Sequence, residues 1–178
     1  MEKRAESIAR IALIGAESTG KTTLAQQLAA HYNTLWVPEF SRNYVAGLAR
    51  AYTLDDILLI AKQQLEEESA MMKKANRFLF ADTELIISKV WCEDVFGECP
   101  GWISEQLHKT RYDLYLLTDT DLDWEQDPVR ENPHRRKYFF DLYKKHLDEL
   151  GAAYETISGK GDDRLRNALN AIEKNFPR

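Results

Sequence analysis

The chain has 178 residues, of which 44% are hydrophobic and 30% charged, and it carries a formal net charge of −5. Those values fit one soluble globular domain, 1–178, large enough to bury a real core. The acidic balance argues against a general nucleic-acid binder, and no run of about 18 apolar residues offers a membrane span. The opening residues MEKRAESIAR are charged and lead into an apolar stretch too short for a signal segment. The two cysteines, Cys92 and Cys99, form no C-x-x-C pair, and the four histidines show no metal-ligand spacing. A cytoplasmic location is expected, with no partner in nucleic acid or membrane. The oligomeric state is left open.

In chain order, Ile11–Ile14 reads as a first strand. It runs into Gly15-Ala16-Glu17-Ser18-Thr19-Gly20-Lys21-Thr22, which fits G-x-x-x-x-G-K-[ST] at every fixed position. A helix follows, carried by Leu24, Leu28 and the alanines between them. A strand before the pattern and a helix after it are the context a phosphate loop requires. Glycines let the backbone turn and approach the ligand, and successive N–H groups then hold phosphate oxygens. The helix start adds its positive dipole end. The expected nucleotide-binding set is Gly15, Glu17, Ser18, Thr19, Gly20, Lys21, Thr22 and Thr23. Lys21 is expected at the β- and γ-phosphates of ATP, as a catalytic residue, and the Thr22 hydroxyl at Mg2+.

Leu35–Val37 is a second short strand, ending at Pro38-Glu39. A carboxylate there can position an acceptor hydroxyl or take its proton. Arg42 follows three residues on, close to Glu39 if the turn is helical. The alternative is a solvated Glu–Arg pair of little energetic weight. A long helix is expected from Thr53, with Asp56 closing a capping box. Within it Glu66–Ser69 reads as a solvated face and Met71 and Met72 as core fillers. Phe78–Phe80 is a third strand that ends in Asp82. Asp82 fits a Mg2+ carboxylate; its alternative is to cap the helical pattern opened by Thr83 and Glu84. Tyr112–Thr118 and Ala152–Ile157 are the fourth and fifth strands, and a closing helix starts near Asp162.

Strands alternating with helices predict an α/β, three-layer P-loop NTPase fold with a central parallel five-stranded sheet flanked by helices. Gly15, Glu39, Asp82 and Asp119 each follow the carboxyl end of a strand, so they are expected to converge on one edge. Between the fourth strand and the next helix, "DWEQDPVRENPHRRKYF" holds Arg130, Arg135 and Arg136. Arginines in a lid at about 124–137 can neutralise charge on a transferring phosphoryl group. Arg135 and Arg136 fit a solvated basic helix start equally well.

The guanine-reading N-K-x-D motif is missing, which sets GTPase switches aside, and the length and missing signature loop set ABC- and AAA-type motors aside. A small-molecule kinase remains, using ATP and Mg2+. A nucleotide-binding regulatory module that transfers nothing is the second class.

The blocks "GAESTGKTT", "VPEFSRNYV", "FADTE" with Trp91 soon after, "YDLYLLTDTDLDWEQDPVRE" and "ISGKGDDRL", in this order, resemble the ribosylnicotinamide kinase domain of NadR-type proteins, from about Ile11 to Leu165. The resemblance implies transfer of the ATP γ-phosphate to the 5′-hydroxyl of nicotinamide riboside, giving nicotinamide mononucleotide. It implies Glu39 and Arg42 at the acceptor, Trp124, Asp127 and Arg130 in the substrate-side lid, and Gly159 and Arg164 in the loop that borders adenine. It places Arg130 among the catalytic residues beside Lys21 and Glu39.

Two departures matter. The nucleotidyltransferase and DNA-binding domains of longer members are not expected here. Members usually read D-G-x-R where this chain has Asp127-Pro128-Val129-Arg130, and proline fixes φ. Another nucleoside or nucleotide therefore stays open as acceptor. The substrate's pyridinium ring is cationic, and aromatic faces suit a cation. Of Trp36, Trp91, Trp102 and Trp124, Trp91 and Trp124 lie just downstream of strand ends, where the pocket is expected; Trp124, ringed by Asp119, Asp121, Asp123 and Asp127, is the first candidate to touch substrate and Trp91 the second.

Overall fold

The computed structural model describes residues 7–177. Residues 1–6, which open the charged segment read above as no signal peptide, lie outside the described residues. The elements in chain order are β1 (Ala9–Ile14), α1 (Lys21–His31), β2 (Leu35–Val37), α2 (Phe40–Ala46), α3 (Leu54–Met72), β3 (Phe78–Asp82), α4 (Leu85–Phe96), α5 (Gly101–Lys109), β4 (Leu114–Thr118), α6 (Arg136–Leu150), β5 (Tyr154–Ile157) and α7 (Asp162–Asn175).

The strands form one parallel sheet in the order β2-β3-β1-β4-β5. Every residue of β3 and β4 is buried, as a parallel strand covered on both faces requires. Along β1, Ile11 and Leu13 join one core with Leu24 and Leu28 of α1 and Ile172 of α7. Ala12 and Ile14 join the other, with Ile57 of α3, Ile86 and Val90 of α4, and Leu147 of α6. The period of two along a strand thus divides the helices into two layers.

The central place of β1 positions the site. Leu13 pairs with Asp82 of β3, and Ile14 with Leu117 of β4. The loop leaving β1 therefore opens onto the carboxyl ends of two neighbouring strands.

The capping box at Thr53 forms as expected. Thr53 Oγ1 accepts from the Asp56 N–H, and Asp56 Oδ2 accepts from the Thr53 N–H at 2.7 Å. The bonds to Arg50, then Tyr44, hold the Asp56 carboxyl well below the usual carboxylate range.

The "EFSRNYV" turn, left open above, is helical and from Phe40 lies in the seven-residue helix α2. Four local expectations are corrected. β4 starts at Leu114 rather than Tyr112. β5 starts at Tyr154 rather than Ala152, because Gly151, at φ 60°, ends α6 and the Ala152 N–H is taken by Leu147 O. Glu68 is not on a solvated face. It is 1% exposed, accepts Arg10 Nε and Tyr112 OH at 2.7 Å each, and ties α3 to the amino end of β1. Met71 and Met72 are half-buried at the end of α3, not core. Among the described residues, no helix is long and apolar enough to cross a membrane.

Candidate active site

The loop between β1 and α1 is held from beneath by β4. A Cβ at Gly15 would meet Thr118 Oγ1 at 2.1 Å, so only glycine lets the loop turn this close to the strand. The Thr19 side chain is buried. Its Oγ1 donates to Ala16 O and shares a 2.7 Å hydrogen bond with Thr118 Oγ1, so Thr19 offers a ligand its backbone alone. Gly20, at φ 77°, leads into α1, whose start has no side-chain cap. Its orphan N–H groups are left for an anion. Lys21 Nζ folds over the loop onto Gly15 O and Ala16 O at 3.0 and 2.9 Å.

Beside the loop, Thr22 Oγ1 donates to Asp82 Oδ2 at 2.5 Å. Asp82 is fully buried, and burial, then the nearby Glu39 charge, push its carboxyl up to about 6. Its other oxygen, Oδ1, has no hydrogen-bond partner. The capping alternative for Asp82 falls away, since Glu84 caps α4 by accepting the Ile86 N–H at 2.8 Å. Among the described residues no group of three or more His, Cys, Asp or Glu side chains could hold a metal ion. A cation here would lean on phosphate oxygens and water, with Thr22 and Asp82 as the protein's share. Mg2+ is commonly held that way, and the orphaned carboxylate oxygen fits it.

A cavity of about 720 Å³ spreads from this corner. Lys21, Thr22, Glu39 and Arg42 line it, together with Arg130 and Arg135 of the lid. Glu39 follows β2, and its Oε1 accepts Ser41 Oγ at 2.7 Å. Glu39 and Arg42 do not pair with each other. Arg42 instead forms an ion pair with Asp127, drawing α2 to the lid.

Of the two tryptophans expected at the pocket, Trp91 lines the cavity and Trp124 does not. Asp127 does not line it either. Trp124 Nε1 donates to Gln126, and the Arg136 guanidinium lies over its ring at 5.8 Å. Trp91 and Tyr52 line the cavity together, edge to face with ring centroids 4.9 Å apart. Ile87, Trp91, Asp94 and Val95 recur at i, i+4, i+7 and i+8, so one face of α4 forms this wall. That spacing was readable in the sequence; nothing local showed which layer it would face. Trp36 and Trp102 pack against the two cores.

The lid is tied to the phosphate loop. The Glu17 carboxylate accepts the Glu131 and Asn132 N–H groups, the latter at 2.9 Å. Ser18 Oγ accepts the Glu125 N–H at 2.8 Å. Both side chains thus hold the lid, and both residues line the cavity. Arg130 Nη1 donates to Glu125 O at 2.5 Å. Arg135 grips Asp94 of α4 with both terminal nitrogens, at 2.9 and 2.5 Å. Arg136 donates to Ser18 O and Leu122 O, bracing the loop.

Arg164 lines the cavity, with Lys160 and Gly161 of the same late loop. It is 5% exposed, and its guanidinium donates to Thr19 O, Asp119 O, Asp121 Oδ1, Ile157 O and Gly159 O. The side chain clamps the phosphate loop to the ends of β4 and β5. Thr23 borders the cavity on the first turn of α1.

A family model described as an AAA domain matches residues 10–164. The trifunctional NAD biosynthesis/regulator protein NadR of Escherichia coli (strain K12) is 28% identical over 171 residues, covering 92% of this chain and 42% of that protein. The chain thus spans less than half the length of this relative. A solved NadR protein in complex with NR has the same fold, with a TM-score of 0.79 at 23% identity over 97% of this chain and 52% of that one. Thymidylate kinase from Ehrlichia chaffeensis matches over 94% of this chain and 98% of its own, with a TM-score of 0.60 at 16% identity.

Proposed function

The chain belongs to the AAA-domain family, and from that premise we propose that it is an ATP-dependent kinase that phosphorylates the 5′-hydroxyl of nicotinamide riboside. The observation that carries this reading is one cavity lined by a phosphate loop, a carboxylate at Glu39 and an aromatic wall at Trp91 and Tyr52, with the buried Asp82 carboxylate bonded to the lining Thr22. The similarity to NadR, a protein described as serving NAD biosynthesis, supports the substrate. A full-length likeness in fold to thymidylate kinase supports a small kinase rather than a motor. We take 1–178 as a single kinase domain with its lid at about 124–137, working in the cytoplasm.

In this reading the loop N–H groups and Lys21 hold the β- and γ-phosphates. Thr22 and Asp82 would hold Mg2+, which would supply neutralising charge to the phosphates. Glu39 orients the acceptor hydroxyl, whose oxygen attacks the γ-phosphorus as the bond to ADP breaks. The hydroxyl proton passes to Glu39 or to the product phosphate. A loose transition state needs little base strength, so orientation is the larger part of that role. Arg130 and Arg135 line the same cavity and supply positive charge from the lid side. The edge-to-face pair of Trp91 and Tyr52 offers a π-face to a cationic ring, with Glu131 adding negative charge nearby.

The test is ADP release with Mg-ATP and a panel of acceptors: nicotinamide riboside, adenosine, deoxycytidine and thymidine monophosphate. Lys21→Ala is the blank, and its turnover should fall by roughly 10²–10³-fold or more. Selectivity for nicotinamide riboside is the expected result. Turnover of a neutral nucleoside in its place would move the substrate and keep the mechanism. ATP binding without acceptor-dependent turnover would point to the regulatory module.

A further inference from the structure

We propose that Thr83 is a positioning residue for the Mg2+-bound nucleotide, its hydroxyl hydrogen-bonding a water in the cation's coordination shell; the inference rests on the kinase reading above.

Thr83 carries two liabilities at once. Its backbone is at φ 79°, and it is the only β-branched residue among the described non-glycine residues with positive φ. That region is sterically poor for a branched side chain and persists only where the surroundings enforce it. The enforcement is visible, since the Thr83 N–H donates to Leu13 O of β1 at 3.1 Å. The second liability is the hydroxyl. Thr83 is 7% exposed, and its Oγ1 is buried with no hydrogen-bond partner. A threonine hydroxyl can rotate to find a partner, and an unmet one is costly. Valine would remove one liability and glycine the other.

The position supplies the missing partner. Thr83 borders the cavity and directly follows Asp82, whose Oδ1 is also unpartnered. A Mg2+ held by Thr22 and Asp82 has two protein groups at most, so it keeps several waters. Those waters are strong donors that need acceptors. Among the described residues, Thr83 Oγ1 and Asp82 Oδ1 are buried oxygens of adjacent residues that lack a hydrogen-bond partner. The strained φ fixes where the hydroxyl stands, as residues beside metal sites often do through outer-shell bonds.

The experiment measures ATP affinity by titration calorimetry, in EDTA and in Mg2+, for the wild type, Thr83→Val and Thr83→Ser. Thermal midpoints of the ligand-free proteins are recorded alongside. Thr83→Val should bind ATP in EDTA like the wild type and unfold at the same temperature or higher. The gain in affinity on adding Mg2+ should fall roughly tenfold. Thr83→Ser should keep the gain. Thr83→Ala, which lacks both hydroxyl and β-branch, replaces valine if valine does not fold. A wild-type gain in Thr83→Val, or an equal loss in Thr83→Ser, would overturn the inference. A wild type whose ATP binding gains nothing from Mg2+ would instead bring down the kinase reading, and this with it.

Discussion

Arg42 of α2 and Asp127 of the lid are 85 positions apart, yet they form an ion pair at the rim of the cavity that Arg42 lines. The pair couples the acceptor side to the lid. Arg42→Ala and Asp127→Ala should each raise KM for the acceptor. Their effects should be non-additive, with the double variant within about twofold of the worse single one. A double-mutant cycle on KM checks this, and simple multiplication of the two effects would show the contact to be idle. Exposed pairs often contribute little to stability, so thermal midpoints should move little.

Trp91 and Trp124 make opposite predictions. Trp91→Ala should raise KM for a cationic nucleoside by roughly three- to thirtyfold, and less for a neutral one. Trp124→Ala should stay within about twofold, because its ring lies outside the cavity, under Arg136. Steady-state kinetics with both nucleosides decides between the two walls. An equal effect of Trp91→Ala on both substrates would remove the cation argument.

Asp82 should give nucleotide binding a pH dependence. Burial, then the Glu39 charge, raise its carboxyl from the ordinary 3.8 to about 6. A cation needs the ionised form, so the benefit of Mg2+ to ATP affinity should grow as pH rises from 5 to 7. Glu39→Gln removes the second cause and should move the midpoint of that rise to lower pH. For the ligand-free protein the sign is reversed. The folded state holds its proton longer than the unfolded one, so the Asp82 contribution to stability is full below 3.8 and is lost as pH rises through 6. Titrations of affinity and of denaturant midpoint over this range check both signs.

Glu84 should act on stability alone. It is 2% exposed, and burial raises its carboxyl from 4.5 to about 8 while it caps α4. Its contribution to stability is full below 4.5 and is lost as pH rises through 8. Glu84→Gln keeps an oxygen for the Ile86 N–H and removes the buried charge. It should match the wild type near pH 4.5 and exceed it at pH 8 by on the order of 2–4 kcal/mol. Equal denaturant curves at pH 8 would show that the carboxyl is not held neutral.

The sequence by itself determined the five strands, most of the helices and the phosphate-loop pattern. The G-x-x-x-x-G-K-T loop, the Thr53–Asp56 capping box and the five short apolar runs are each encoded within a few neighbouring residues. Turn chemistry, caps and hydrophobic period act at that range, so they can be read without the fold. The strand-end rule also assigns Gly15, Glu39, Asp82 and Asp119 to one edge of the sheet from the sequence alone. Tertiary structure alone decided the strand order, and with it which distant groups meet. Glu17 reaches the Glu131 and Asn132 N–H groups, Arg42 turns from Glu39 to Asp127, Arg164 clamps the phosphate loop from within, and Glu68 is buried against Arg10. Trp91, not Trp124, walls the cavity because α4 packs with that face toward it. These contacts join residues tens of positions apart, and their partners are chosen by the packing of layers, which no local pattern carries.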